Sequence, residues 1–190
     1  MATGLALLAL VLAVHRLEPD RDQELRPLAV EGERGRPVDA GAFTIEVQRV
    51  TTARTVISRS GLGGVQPLTT GGTWVLVWAT ATARREPLEL LGSYLVTRDG
   101  HRYAATERLG GVGRTLDGTT LEPGIARHGA IVFEVPHRRL AGARLSVSDQ
   151  PPPNRLGYEA RIALGIDDRR AATLVSEAPA LVELAEVSYR

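Results

Sequence analysis

A chain of 190 residues, 43% hydrophobic and 24% charged, has the length and apolar content for one packed domain, which excludes wholesale disorder. Its formal net charge of +1 excludes a broad basic field for nucleic acid and an acidic tail. Cysteine is absent, so disulfides, thiolate zinc sites and a cysteine nucleophile are excluded, and every basic side chain is Arg, as GC-rich coding such as that of actinobacteria gives.

The front of the chain, MATGLALLALVLAVHRLEPDRDQ, is apolar without interruption from Gly4 to Val14 and then meets His15, Arg16 and Glu18. A bilayer span takes about 20 residues, so this run is nearer to the apolar core of a signal peptide. No basic residue precedes it and no Ala-x-Ala cleavage site follows. Residues 1–17 therefore read as a short hydrophobic helix, a membrane anchor or signal-anchor remnant with a few residues upstream of this start. Leu5 to Val14 offers no polar face, which argues against a buried amphipathic helix. Counting Arg16, Arg21 and Arg26 by the positive-inside rule points the domain to the cytoplasm. Residues 18–41, rich in charge, Gly and Pro, read as a linker.

Residues 42–190 have the texture of strands. FTIEVQRV sets Phe43, Ile45 and Val47 against Thr44, Glu46 and Gln48, the period of a half-buried strand. TWVLVWATATA, Thr73 to Ala83, is apolar on both faces, with Trp74, Leu76 and Trp78 opposite Val75, Val77 and Ala79; this suits a central strand covered on both sides. Asp99-Gly100, between Tyr94–Thr97 and Arg102–Ala105, predicts a hairpin with a type I′ turn. The Gly-rich stretch from Glu107 to Gly124 reads as a long surface loop. In LEPGIARHGAIVFEVP, Leu121 to Pro136, a His, a Glu and an Arg fall within eight residues, but Ile131, Phe133 and Val135 alternate with Ala130, Val132 and Glu134. That stretch is a strand entered through a Pro123-Gly124 turn, with Glu134 outward and His128 at its start. ARLSVSD is another, with Leu145 and Val147 inward, and YEARIALGID puts Tyr158, Ala160, Ile162, Leu164 and Ile166 on one face. The tail, Ala178 to Arg190, is ambiguous: Leu181 to Ala185 suits a helix, but Pro179 and the Val187–Tyr189 ending favour a last strand. The expected fold is all-β: an antiparallel immunoglobulin-like β-sandwich preceded by the short N-terminal hydrophobic helix.

The order of these segments, with the Asp99-Gly100-His101-Arg102-Tyr103 hairpin and the Pro123-Gly124 to Phe133-Glu134-Val135-Pro136 strand, resembles the telokin-like, immunoglobulin-type β-sandwich domains of unknown function in exported bacterial proteins. These are related in fold to an immunoprotective extracellular antigen of mycobacteria. The resemblance covers roughly Phe43 to Ser148 and departs after Asp149, where the chain continues. It implies export, with the domain facing away from the cytoplasm, against the arginine count. It implies no catalytic residues.

Candidate chemistry is sparse. Gly61-Leu62-Gly63-Gly64 and Gly110-Gly111-Val112-Gly113 have no helix after them to complete a phosphate cradle. Of the four histidines, His15, His101, His128 and His137, a metal site would need Asp99, His101 and His128 to converge. Asp167-Asp168, followed by Arg169-Arg170, reads as a solvated turn. Trp74 and Trp78 share a face, as a sugar-stacking platform would require, but buried tryptophans of sandwiches do the same. No Gly-x-Ser-x-Gly elbow occurs. Arg138-Arg139 beside His137 is too small a patch for an anionic polymer.

The expectation is a membrane-anchored, extracytoplasmic, non-catalytic module without cofactor, metal or catalytic residues. Its partner would be an envelope protein or cell-wall component, not nucleic acid, docking on the loops Ser58–Gly72 or Glu107–Gly124. An accessory subunit of a membrane transport or secretion complex is the alternative, and an envelope hydrolase a third.

Overall fold

The computed structural model describes residues 27–60, 64–109, 115–151 and 157–189. In chain order the elements are β1 (Leu28–Glu33), β2 (Val38–Asp39), β3 (Phe43–Ser60), β4 (Gly64–Ala83), β5 (Gly92–Val96), β6 (Arg102–Ala104), β7 (Arg127–Val135), β8 (Arg144–Ser148), β9 (Tyr158–Ala163), α1 (Asp168–Ser176), β10 (Val182–Glu183) and β11 (Ser188–Tyr189). One sheet has the order β1-β9-β8-β5-β6; the other runs β10-β3-β4-β7-β11, with β2 also on β3.

The period-two pattern decides what faces what. Phe43, Ile45 and Val47 of β3, Val75 and Val77 of β4, and Ile131, Phe133 and Val135 of β7 meet Leu95, Leu145, Val147, Ala160 and Ile162 of the opposite sheet. All are buried. Each large side chain so removed from water contributes about 1.5–3 kcal/mol, and this inter-sheet layer holds the sandwich together. The second face of β4 is buried too: Trp74, Leu76 and Trp78 form a separate cluster with Ala53, Val56, Ala130, Val132, Leu109 and Leu184. The two-sided apolarity of the sequence therefore reflects two cores, one between the sheets and one beneath the C-terminal segment.

Several expectations change. The fold is a β-sandwich but not wholly β or wholly antiparallel: it contains α1, and β1 pairs with β9 and β10 with β3 in parallel. The expected turn at Asp167-Asp168 is the start of that helix. Asp167 caps it, accepting the Arg170 amide (2.6 Å), while Ala171 and Leu174 supply a buried stripe. Part of the expected linker is sheet: Leu28–Glu33 pairs along β9, and Val38–Asp39 along β3. Of the expected Ser58–Gly72 loop, Ser58–Ser60 and Gly64–Gly72 are strand, in β3 and β4, with Ser60 opposite Gly64. In the Glu107–Gly124 stretch, Leu109, Leu116 and Leu121 are buried, and the Leu116 amide reaches the Ala130 carbonyl of β7 (2.9 Å).

The Asp99-Gly100 hairpin forms with a different turn. Gly100 donates its amide to the Thr97 carbonyl (2.9 Å) and Thr97 pairs with His101, leaving a three-residue loop with Gly100 at φ 83°. A type I turn closed by a left-handed glycine takes the place of the two-residue type I′ turn. The Pro123-Gly124 turn is as expected, with Gly124 at φ 74° and Ile125 bonded back to Glu122 (3.2 Å). The proposed anchor, residues 1–17, and the first part of the linker lie outside the described residues. Among the described residues no helix is long and apolar enough to cross a membrane.

Candidate functional site

The features that build a site lie on the outer face of the second sheet. The β3–β4 pairing shifts register twice: between Val47 and Arg49, where Gln48 is the extra residue, and between Ala53 and Thr55, where the extra residues are on β4. Between them Arg49, Thr51 and Ala53 lie opposite Trp78, Leu76 and Trp74, and so share the outer face. Bulges of this kind bend a strand and re-aim its side chains. Leu184 of the C-terminal segment covers this face, and β10 returns beside Val56 and Ile57, while α1, whose Ala171 and Leu174 belong to the inter-sheet core, and the turn at Pro179 lie along the β3 edge. Thr52 fixes the helix by donating to the Leu174 carbonyl (2.5 Å), and Arg54 fixes the turn by donating its amide to the Pro179 carbonyl (3.0 Å).

The cover is incomplete. A groove of about 510 Å³ remains, lined by Arg49 to Thr52 and Trp78 on one side and by Arg170, Leu174, Glu177, Pro179, Val182, Glu183 and Ala185 on the other. Trp78 is its aromatic floor. Its Nε1 donates to Thr51 Oγ1 (3.0 Å), the Arg49 guanidinium sits 4.6 Å from the ring centre, and the His128 ring stacks at 6.2 Å. A cation over an indole face is favourable by about 0.5–2 kcal/mol, which preorganises Arg49 at the mouth. Trp74 is fully buried and donates Nε1 to the Leu68 carbonyl (3.0 Å). The Trp pair is therefore core and offers no open stacking platform. Beside it Arg108 bonds both oxygens of Glu134 (2.9 Å each), so the outward Glu134 of the sequence is an ion-pair partner.

The opposite sheet presents a charged outer face. Glu159, almost fully buried, accepts from Ser146 (2.7 Å) and from two nitrogens of Arg161 (2.8 and 3.0 Å). Burial disfavours its charge, but the bonds from Arg161 and Ser146 and the nearby Arg161 and Arg102 charges outweigh that, and its carboxyl titrates below the usual range. Arg144 and Arg161 also meet Glu31 (3.3 and 4.0 Å), and Arg102 lies over the Tyr94 ring (4.1 Å). These charges largely satisfy one another around a shallow cavity of about 280 Å³.

The histidines do not converge. His101 pairs with Asp99 of its own turn (3.1 Å), and Arg139 with the same carboxylate (3.3 Å). The Thr97 hydroxyl bond, with those two neighbours, holds the Asp99 carboxyl below its ordinary value. His128 belongs to the other sheet, bonded to Thr80 (3.2 Å), and His137 bonds Thr73 (2.8 Å). Among the described residues no three potential ligands gather as a metal site. His15, residues 61–63 and Gly110 to Gly113 lie outside the described residues; Gly64 begins β4, a strand. Sequence reading missed Arg49, Thr51 and the Glu159–Arg161–Ser146 cluster. The alternation of Arg49, Thr51 and Ala53 is a visible signal, but the bulges that aim it are not.

No family model matches the chain, and no curated protein matches it. Solved structures to which it is similar include YjhA from Bacillus subtilis, with a TM-score of 0.49 and 15% identity over 69% of this chain and 99% of that one. Another is the secreted protein MPT63 from Mycobacterium tuberculosis, at 0.49 and 19% over 71% and 97%. A third is an uncharacterized β-sandwich protein from Clostridium difficile, at 0.46 and 15% over 77% and 99%. The β-sandwich assignment itself rests on the two facing sheets.

Proposed function

We propose that the chain is a non-catalytic binding module of the bacterial envelope, held to the membrane by its N-terminal segment with the sandwich on the outer side. The observation that carries this reading is the groove over Trp78. It is preformed and mostly apolar, sits on a rigid double-core scaffold, and has charged residues only at its rim. Such a surface binds without needing a reactive group. The apolar run from Gly4 to Val14 supports the membrane attachment.

The test is a β-lactamase fusion to the C-terminus, which confers resistance only when the enzyme is exported. Resistance is expected with the full chain and is expected to fall away when residues 1–17 are deleted. A fusion that is stable yet never confers resistance refutes the location. For the binding role, photo-crosslinking from position 170 in intact cells should give one discrete adduct on an envelope component; adducts with soluble cytoplasmic proteins alone refute it.

A further inference from the structure

The free edge of β3 is occupied at both ends and open between them. At one end β2 pairs Thr44 and Ile45, and Gly35 donates its amide to the Val47 carbonyl (2.8 Å). At the other, the Pro179 carbonyl takes the Arg54 amide (3.0 Å) and β10 pairs Val56 and Ile57. Neither β2 nor β10 reaches residues 48–53.

The direction of the main chain in this gap follows from its neighbours. Arg54 points its amide away from β4, and in extended backbone alternate residues present both polar groups to the same side. The amides and carbonyls of Thr52 and Val50 therefore also face away from β4. The far side of the sheet checks this parity. The Ala130 and Val132 carbonyls point out of β7, accepting from Leu116 (2.9 Å) and Thr106 (2.8 Å). Ile131 and Phe133 must then bond Val77 and Val75 of β4, whose partners on β3 are Val50 and Thr52. Those two β3 residues consequently do not bond across to β4.

Their side chains point the other way. Val50 belongs to the inter-sheet core, and Thr52 reaches the Leu174 carbonyl. Both nevertheless line the groove, so what they present there is main chain. Buried amides and carbonyls demand partners. The charges of the rim are also polarised. Exposed Arg49 and Arg170 stand toward the Gln48 end, while Glu177 and Glu183 stand toward Arg54, since Glu183 pairs with Ile57.

We propose that this gap is a strand-addition site: an extended peptide from a partner protein lies along Val50 and Thr52 and completes the edge of β3. Six residues at about 3.3 Å each give a slot of roughly 20 Å, and main-chain bonds supply affinity while the rim sets sequence. The peptide carries a carboxylate at the end facing Arg49 and Arg170, and a neutral or basic residue at the end facing Glu177. This rests on the binding-module reading and names its partner class.

The experiment selects displayed random heptapeptides against the full chain and follows amide hydrogen exchange by NMR. In the free chain, the Val50 and Thr52 amides should exchange at least tenfold faster than those of Arg49 and Thr51, and a selected peptide should slow them at least tenfold. N-methylation of alternate peptide residues should weaken binding tenfold or more, and Arg170→Glu should disfavour acidic peptides while leaving the urea midpoint unchanged. Val50 and Thr52 amides already protected in the free chain overturn the proposal, as does N-methylation without effect or selection that enriches nothing. Peptides that bind at another surface sink the edge site but leave a binding module standing, whereas failure of export or of the in-cell adduct sinks the broader reading whatever the peptides do.

Discussion

Trp74→Ala tests the second core directly. The indole is fully buried between β4 and its cover, among Leu76, Val132 and Leu184. Truncating a buried Trp to Ala typically costs about 3–5 kcal/mol, because the lost transfer energy adds to the cavity left behind. The Nε1 bond to the Leu68 carbonyl is lost as well, about 1 kcal/mol more if that oxygen stays dry. A total of about 4–6 kcal/mol is a large share of the roughly 5–15 kcal/mol available to a domain. With a urea dependence of about 2 kcal/mol per molar, the midpoint should fall by about 2–3 M. Trp74→Phe keeps most of the ring volume and loses only the donor, so a loss of about 1–2 kcal/mol is expected.

The assay benefits from the composition. The chain holds two tryptophans, Trp74 and Trp78, and both belong to this cluster. Fluorescence therefore follows the outer core while far-ultraviolet circular dichroism follows the sheets. One cooperative unit makes the two transitions coincide. If fluorescence changes at lower urea than dichroism, the cover melts on its own and the double-core argument fails. A Trp74→Ala chain within about 1 kcal/mol of the parent refutes it equally.

Three further predictions concern charge and backbone. Glu159 has a depressed carboxyl in the fold, so its stabilisation is present above the ordinary carboxylate range and is lost as pH falls through the folded value; Glu159→Gln should lower stability at pH 7 and flatten the acid side of a stability–pH curve. Asp117 has the opposite sign: burial pushes its carboxyl up, the Thr115 bond only partly offsets this, and Oδ1 has no hydrogen-bond partner among the described residues. Its stability cost appears as pH rises through the carboxylate range, so Asp117→Asn should raise the melting temperature at pH 7 and make little difference below about pH 4. Gly72→Ala places a Cβ 2.5 Å from the Val135 carbonyl oxygen, a backbone atom that cannot step aside, and should cost about 1–3 kcal/mol by calorimetry; Gly71→Ala, with nothing near it, is the control.

What the sequence disclosed follows from which interactions are local. The alternation of Ile131, Phe133 and Val135 and the two apolar faces of Trp74 to Ala79 encode burial residue by residue, and both faces are filled as written. Leu28 to Glu33 gave no such signal because it is an edge strand with little to bury: Leu28 remains 59% exposed. Its place is set by parallel pairing with β9, some 130 positions away, which no local pattern announces. The start of α1 was masked by charge, since the same Asp-Asp-Arg-Arg that suits a turn also suits a cap and first turn. Only the Ala171 and Leu174 stripe after it separates the two.

The groove shows why its site was the hardest part to read. β3 and β4 are 18 and 20 residues long, far beyond the ordinary strand of about 5–6 residues, and a twisted sheet cannot stay flat over such a length. The two register shifts between β3 and β4 relieve that, and each ends the reach of a neighbour: β2 stops before the first, and β10 starts after the second. The stretch between them keeps its pairing to β4 but loses its partner on the other side. The open edge is thus a by-product of bending a long hairpin, with the helix and tail arranged around it. If the bend creates the site, deleting Gln48 to remove the first shift should carry β2 pairing further along β3. The Val50 amide would then be protected in the free chain and the selected peptides would no longer bind. Deletion that leaves Val50 exchanging as fast as before would show that the opening has another cause.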